Sequence, residues 1–243
     1  MIRRAEDLNR RCQRNSELTH TNFLSPAERA ELEAWARHTP DCRVRFFGGD
    51  EDCERTLAFF LPDWMEEDES QLSEYLRAMA ITAYFGTPAH RDYLGALLGM
   101  GIDRQWLGDI RVIGNEACVF CLPSVLRHLL SIEKVGRCGV KTRELALSQV
   151  PAPERRVKEK RFSVQSMRLD AVLAGLFDLS RSEAARQIRA GLVMVNYLDC
   201  QKCDLPVSEG DILALRGKGK AKVTGTGGES RKGRLFVYGE VLL

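Results

Sequence analysis

Ser166-Met167-Arg168-Leu169-Asp170-Ala171-Val172-Leu173 begins the stretch that decides how the C-terminal third folds, and Gly191-Leu192-Val193-Met194-Val195-Asn196 ends it. Leu169, Val172, Leu173 and Leu176 recur at the spacing that lines one face of a helix. Ser180-Arg181-Ser182-Glu183 has the form of a capping box, in which the Ser180 hydroxyl takes the Glu183 N–H and the Glu183 side chain reaches back. The helix that follows sets Ala184, Ala185 and Ile188 on one face and Ser182, Arg186 and Arg189 on another. Gly191 stops it as a left-handed residue. Val193–Asn196 reads as a short strand into a turn, Gly210-Asp211 precedes a strand over 212–215, and Arg216-Gly217-Lys218-Gly219-Lys220 is a basic loop spaced by glycines.

Two short helices on a small twisted sheet therefore carry the cations Arg168, Arg181, Arg186, Arg189, Lys218 and Lys220, which are placed to flank one groove. Guanidinium forks suit phosphate oxygens, and glycines let the backbone approach a ligand. Double-stranded RNA is read by shape, phosphate and 2′-OH contacts, so such a site needs few aromatics.

The charge distribution agrees. Residues 155–243 hold 17 Lys and Arg against 10 Asp and Glu, while residues 1–154 hold 19 against 24. A basic third on an otherwise acidic chain points to a polyanionic partner. Hydrophobic residues are 44% and charged residues 29% of the 243, the composition of a globular protein. No run approaches the roughly 18 apolar residues that span a bilayer, and no apolar run follows Arg3-Arg4, so a cytoplasmic location is expected.

Upstream, residues 1–40 read as a helical segment, with Ser25 as N-cap, Pro26 at the first helical position and Glu28 in the first turn. Residues 41–150 read as an α+β domain with strands at 44–47, 56–61, 78–85, 110–113 and 117–122 and helices at 90–101 and 124–132. Glu66–Glu69 is expected to be a solvated loop. Pro151-Ala152-Pro153 and the charges after it mark 151–162 as a linker, with the RNA-binding domain at 163–243. The fold class is thus α+β, with extra β-strands after the RNA-binding helices. His90 and Arg91 open a helix from which they can face RNA.

Eight cysteines include Cys118/Cys121 and Cys200/Cys203 at Cys-x-x-Cys spacing. A zinc site shared by pairs so far apart is disfavoured, and reduced thiols are the better reading. No metal or other cofactor is expected. Gly48-Gly49-Asp50-Glu51 faintly evokes a cyclic-dinucleotide cyclase signature but lacks the surrounding nucleotide site.

The sequence from Arg168-Leu169-Asp170 through Ser180-Arg181-Ser182 and Ile188-x-x-Gly191-x-Val193-x-Val195-Asn196 to Gly210-Asp211 resembles the alpha-L, or S-four type, RNA-binding motif. Phe46-Phe47-Gly48-Gly49, Glu54-Arg55, His90 to Leu97, Gly101-Ile102-x-Arg104, Gly108-Asp109-Ile110 and Arg231-Lys232-Gly233-Arg234 resemble the YlmH family of bacterial proteins. That resemblance implies a noncatalytic monomer with a central RNA-binding domain. It also implies binding to rRNA, and to tRNA, at the large ribosomal subunit in quality control of stalled nascent chains, with no membrane or DNA partner. Asn196 and Ser182 fall inside the motif and join the expected RNA contacts. The glycine loop departs from the family pattern, with Lys218 and Ala221 where aromatics are expected, and Asn196-Tyr197 stands where Asn-Gly is expected. Pseudouridine synthases carry the same motif and place a catalytic aspartate in an Arg-Leu-Asp context. Here Asp170 sits in the motif itself, which leaves RNA modification, or a partnership with division factors, as the alternative readings.

Overall fold

The computed structural model describes residues 1–66, 68–153, 157–229 and 233–242. The chain forms two compact units, Met1–Pro153 and Glu154–Leu243, each of mixed α and β structure.

The first unit begins with α1 (Ile2–Asn15), β1 (Thr19–His20), α2 (Pro26–Arg37), β2 (Val44–Phe47) and β3 (Leu57–Phe60). The α2 start follows its sequence closely. Ser25 Oγ accepts the Glu28 N–H at 3.3 Å, and Glu28 Oε2 accepts the Ser25 N–H at 2.8 Å. The segment is not purely helical, because β1 pairs with β3 in a three-stranded sheet of order β1-β3-β2. Ala5, Cys12, Leu32 and Phe60 close a small core between these helices and β3. Apolar faces on α1 and α2 need a surface to cover, and the sheet supplies it.

Next come α3 (Glu69–Ser73), β4 (Arg77–Ala83), α4 (His90–Gly99), β5 (Leu107–Ile113), β6 (Glu116–Cys121), α5 (Pro123–Leu129), β7 (Lys134–Val135) and β8 (Cys138–Leu145). Their strands make an antiparallel sheet of order β5-β6-β4-β8-β7. The acidic run expected to be a loop is in part a helix start: Asp68 Oδ1 accepts the Ser70 N–H at 2.9 Å and caps α3, while Glu67 lies outside the described residues. Tyr93, Leu97 and Leu129 are fully buried against the sheet.

Two glycines and an ion pair join the layers of this unit. A Cβ on Gly49 would fall 2.3 Å from the Phe120 ring, and one on Gly108 would fall 2.7 Å from Phe23. Asp50 receives both Nη atoms of Arg111 at 2.6 Å, and that arginine also stacks on Phe120 at 5.1 Å. The Gly48-Gly49-Asp50 turn is therefore a packing device, with its carboxylate committed to Arg111.

The second unit contains β9 (Val157–Val164), α6 (Leu169–Leu176), α7 (Arg181–Arg189), β10 (Val193–Val195), β11 (Leu198–Asp199), β12 (Ile212–Leu215), β13 (Gly219–Glu229) and β14 (Leu235–Leu242). They form a six-stranded antiparallel sheet of order β11-β10-β12-β13-β14-β9. The linker expected at 151–162 is here corrected: 157–164 pair residue for residue with 235–242 as an edge strand. Its charges misled because only Phe162 and Val164 need to face the core, and edge strands tolerate charge on the solvent side. Arg155 and Arg156 of that stretch, and Arg231 and Lys232, lie outside the described residues.

Helix α6 lies close on this sheet. A Cβ on Gly175 would meet Phe162 Cδ2 at 2.1 Å, and one on Gly239 would meet Leu176 Cδ2 at 2.4 Å. Leu169, Val172, Leu173 and Leu176 are buried beneath it with Ala184 and Ile188 of α7, which fixes the pair of helices that carries the cations. Among the described residues, no helix is long and apolar enough to cross a membrane.

Candidate nucleic-acid interface

The start of α6 is anchored from two sides. The Leu169 and Asp170 N–H groups bond the carbonyls of Leu205 and Cys203 at 2.9 and 3.0 Å, which satisfies two of the donors a helix start leaves open. The buried Asp170 carboxylate then accepts Arg168 Nε at 3.2 Å, Arg168 Nη2 at 3.3 Å and Arg181 Nη2 at 2.9 Å. Burial pushes this carboxyl up, but the hydrogen bonds and charges of Arg168 and Arg181 together outweigh it and hold it below its ordinary value. Asp170 is thus held ionised between two guanidiniums and joins the starts of α6 and α7. Arg168 and Arg181, both expected to grip RNA, each engage this carboxylate, and their side chains remain 42% and 57% exposed.

Helix α7 presents the freer cations. Ser180 Oγ accepts the Glu183 N–H at 3.1 Å, but the expected reciprocal half of the capping box does not form. Ser180 Oγ lies 3.0 Å from Ser182 Oγ, and Glu183 turns toward Arg186 at 3.8 Å. That long, exposed contact leaves the Arg186 side chain 75% exposed. Arg189 is exposed in the last turn, where a cation also suits the helix dipole. The Gly191 φ of 69° confirms the left-handed stop.

Past that stop, the Arg216 N–H bonds the Leu192 carbonyl at 2.9 Å. This contact ties the β12–β13 turn to the end of α7 and brings the exposed Arg216 and Lys218 beside the helix that bears Arg189. Gly217 and Gly219 take φ values of 84° and 99°, so the turn needs both glycines. Arg216 belongs with the candidate contacts. The sequence shows its loop to be basic, while the backbone bond that places it beside the end of α7 leaves no local signal.

Asn196 and Lys220 are engaged within the unit. Asn196 donates from Nδ2 to Asp211 Oδ1 at 2.8 Å and accepts the Ile212 N–H at 2.9 Å, which pins the β10–β11 hairpin to β12. Asn196 and Tyr197 both have positive φ, 49° and 66°, as a type I′ turn requires. Lys220 Nζ lies 5.1 Å over the Tyr197 ring. The residue that departs from Asn-Gly thus supplies an aromatic to the basic loop from the neighbouring hairpin. Ala221, the other departure, is fully buried in the core.

His90 and Arg91 belong to the first unit, at the start of α4. Arg91 is 90% exposed and 3.9 Å from Asp92. Burial first, then the charge of Arg104, lowers the His90 pKa, so this ring is neutral at pH 7 and adds no cation. Arg104 itself is drawn down to about 10 by burial and by Arg55, and stays charged. Arg104 Nη1 donates to the Leu107 and Gly108 carbonyls at 2.7 and 3.0 Å, and Arg55 Nε to the Leu107 carbonyl at 3.1 Å. Asp109 accepts the Glu54 and Arg55 N–H groups at 2.7 and 3.0 Å. These motif residues knit loops together rather than face a ligand.

Cys118 and Cys121 are buried in β6, and burial pushes the Cys121 thiol up to about 12. Cys203 Sγ sits 3.7 Å from the Ala185 carbonyl in the other unit. Among the described residues no three His, Cys, Asp or Glu side chains group as metal ligands.

Residues 69–149 match a family model described as "Putative RNA-binding domain in YlmH", and residues 167–213 match the S4 domain. The chain is similar to ribosome-associated protein quality control protein P2 of Bacillus subtilis (strain 168), at 30% identity over 214 residues that cover 87% of this chain and 82% of that protein. Among solved structures it is similar to cell division protein ylmH from Streptococcus pneumoniae, with a TM-score of 0.54 and 18% identity over 61% of this chain and 90% of that one, which speaks to the fold.

Proposed function

The chain belongs to the YlmH family of RNA-binding proteins with an S4 domain, and on that premise we propose that it is a noncatalytic factor that holds rRNA of the large ribosomal subunit during quality control of stalled nascent chains. The observation that carries this reading is the row of exposed cations formed by Arg186 and Arg189 of α7 with Arg216 and Lys218 of the adjoining turn. The name of the Bacillus relative supports the ribosomal setting. The Asp170 side chain is only 10% exposed and joins the two helices, which supports a binding role over RNA modification. On this reading the protein is a cytoplasmic monomer, tRNA is a second contact, and no cofactor takes part.

Sedimentation tests it. Wild-type protein is expected to travel with 50S particles at 50 mM salt and to leave them near 200 mM. The Arg186/Arg189/Lys218→Ala variant is expected to stay at the top of the gradient in both. Wild type that stays free of 50S particles at low salt ends the ribosomal reading.

A further inference from the structure

The first unit exposes two adjacent aromatic residues that its core does not use. Tyr84 is 68% exposed and Phe85 60%, immediately beyond the end of β4. They are not frayed chain. The Tyr84 N–H bonds the Gly139 carbonyl at 3.0 Å, and a Cβ on Gly139 would lie 3.2 Å from Tyr84 Cδ2. The ring therefore rests on the bare backbone of β8 and turns its other surface to solvent.

The neighbours of Tyr84 are set by register. Thr82 shares its face, two residues back, and pairs across the sheet with Lys141; Ala80 pairs with Arg143. Thr82 Oγ1 donates to Glu116 Oε2 at 2.7 Å, and Arg143 lies 3.3 Å from Glu116, so that acid is already neutralised. Lys141 and Arg137 are exposed and make no ion pair among the described residues. Exposed rings beside the unpaired cations Lys141 and Arg137 do not suit an apolar protein partner, whose contact would bury those charges unpaired. They suit a nucleotide strand, in which each base offers a π-face and each phosphate a charge.

We propose that Tyr84 and Phe85 form a stacking surface for unpaired bases of single-stranded RNA, with Lys141 and Arg137 holding the flanking phosphates. This surface belongs to the first unit and rests on the RNA-binding reading of the chain. It assigns paired RNA to the second unit and unpaired RNA to the first.

Fluorescence anisotropy of the full-length protein at 50 mM salt tests the division of labour, with a fluorescein-labelled oligouridine 12-mer and a blunt RNA hairpin, its strands joined by a non-nucleotide linker so that every base is paired, as probes. Tyr84→Ala/Phe85→Ala is expected to weaken oligouridine binding by on the order of tenfold or more while hairpin binding changes less than twofold. Tyr84→Phe, which keeps the ring, is expected to bind oligouridine as wild type does. The Arg186/Arg189/Lys218→Ala variant is expected to show the reverse pattern. Oligouridine affinity within twofold of wild type in the double variant overturns the proposal, as does a double variant that loses both probes equally. Wild type that binds the hairpin and ignores oligouridine overturns the proposal and leaves the proposed function standing. Hairpin binding that survives in the α7 variant counts against the proposed function and leaves the Tyr84 result readable.

Discussion

Arg181 Nη2 donates to the Asp170 carboxylate at 2.9 Å, across eleven residues of chain, and so fastens the start of α7 to the start of α6. The two partners are unequally buried: the Asp170 side chain is 10% exposed and the Arg181 side chain 57%. The asymmetry predicts which loss matters more. Asp170→Asn leaves two guanidiniums that water can reach, for a cost of about 1 kcal/mol. Arg168→Ala/Arg181→Ala strands a buried carboxylate and is expected to cost about 3 kcal/mol. All three tryptophans, Trp35, Trp64 and Trp106, lie in the first unit. Native-state hydrogen exchange of the α6 and α7 amides is therefore the measurement that reads this order. A larger loss in Asp170→Asn contradicts the account.

Acid stability follows from the same carboxylates. Burial pushes Asp170 and Asp50 up, but their arginine contacts outweigh it, and both folded-state pKa values lie below the ordinary carboxylate value of about 3.9. A carboxyl depressed in the folded state adds stability that is fully present above the unfolded pKa and is lost as pH falls through the folded one. The stability gap between wild type and Asp170→Asn is expected to be widest at pH 7 and to close below about pH 4. Hydrogen exchange of the second unit at pH 7, 5 and 3.5, corrected for intrinsic rates, checks it, and a gap that widens with acid contradicts it.

Local signals made the helices legible and left their partners hidden. The Ser25 box, the Ser180 cap and the Gly191 stop each act within a few residues, so the sequence alone places α2 and α7. The structural role of Asp170 could be read from its place in the motif, but Arg181 as its partner could not, because tertiary packing alone brings the two together. Strand β9 was hidden for another reason: a charged edge strand and a charged linker have the same composition, and only the pairing with β14 tells them apart. Lys220 beside Tyr197, Arg216 beside α7 and Tyr84 over Gly139 are likewise products of register.

Tyr197 predicts a trade between stability and contact. Its φ of 66° is strained for a residue with a Cβ, and its ring carries Lys220 at 5.1 Å. Tyr197→Gly relieves the turn and is expected to stabilise the second unit by up to about 1 kcal/mol. The same change removes the aromatic ring beneath Lys220, so hairpin-RNA affinity is expected to move while the fold tightens. Amide exchange in β10 and β12 reads the first effect and anisotropy the second. Faster exchange in the variant would show that the Lys220 contact outweighs the backbone strain.

Close packing beneath α6 gives a control that leaves every charge in place. A Cβ at Gly175 would meet not only Phe162 Cδ2 but also Cγ, at 2.4 Å, so the whole ring has to move. Gly175→Ala is expected to destabilise the second unit by about 1–3 kcal/mol despite the better helix propensity of alanine. Paired with Phe162→Leu, which opens space, the alanine is expected to recover part of that loss. Recovery in the double variant identifies the ring as the obstacle, and its absence would place the strain in the helix backbone.

Salt dependence separates cations that meet RNA from cations that hold the fold. Each phosphate contact releases counterions, so the logarithm of affinity falls with the logarithm of salt by about 0.7–0.9 per contact. Arg186, Arg189 and Lys218 are exposed and lie along α7 and the turn beside it. Each single alanine change there is expected to flatten the slope by about that amount, with melting behaviour unchanged. Arg168 and Arg181 are expected to behave differently: their removal acts first on the Asp170 anchor, so amide protection in α6 falls along with affinity. Titration of the hairpin RNA from 50 to 200 mM salt, with hydrogen exchange on the same variants, distinguishes the two groups. Equal slopes for wild type and Arg186→Ala would remove that residue from the interface, and a flattened slope with full α6 protection in Arg181→Ala would move Arg181 into it.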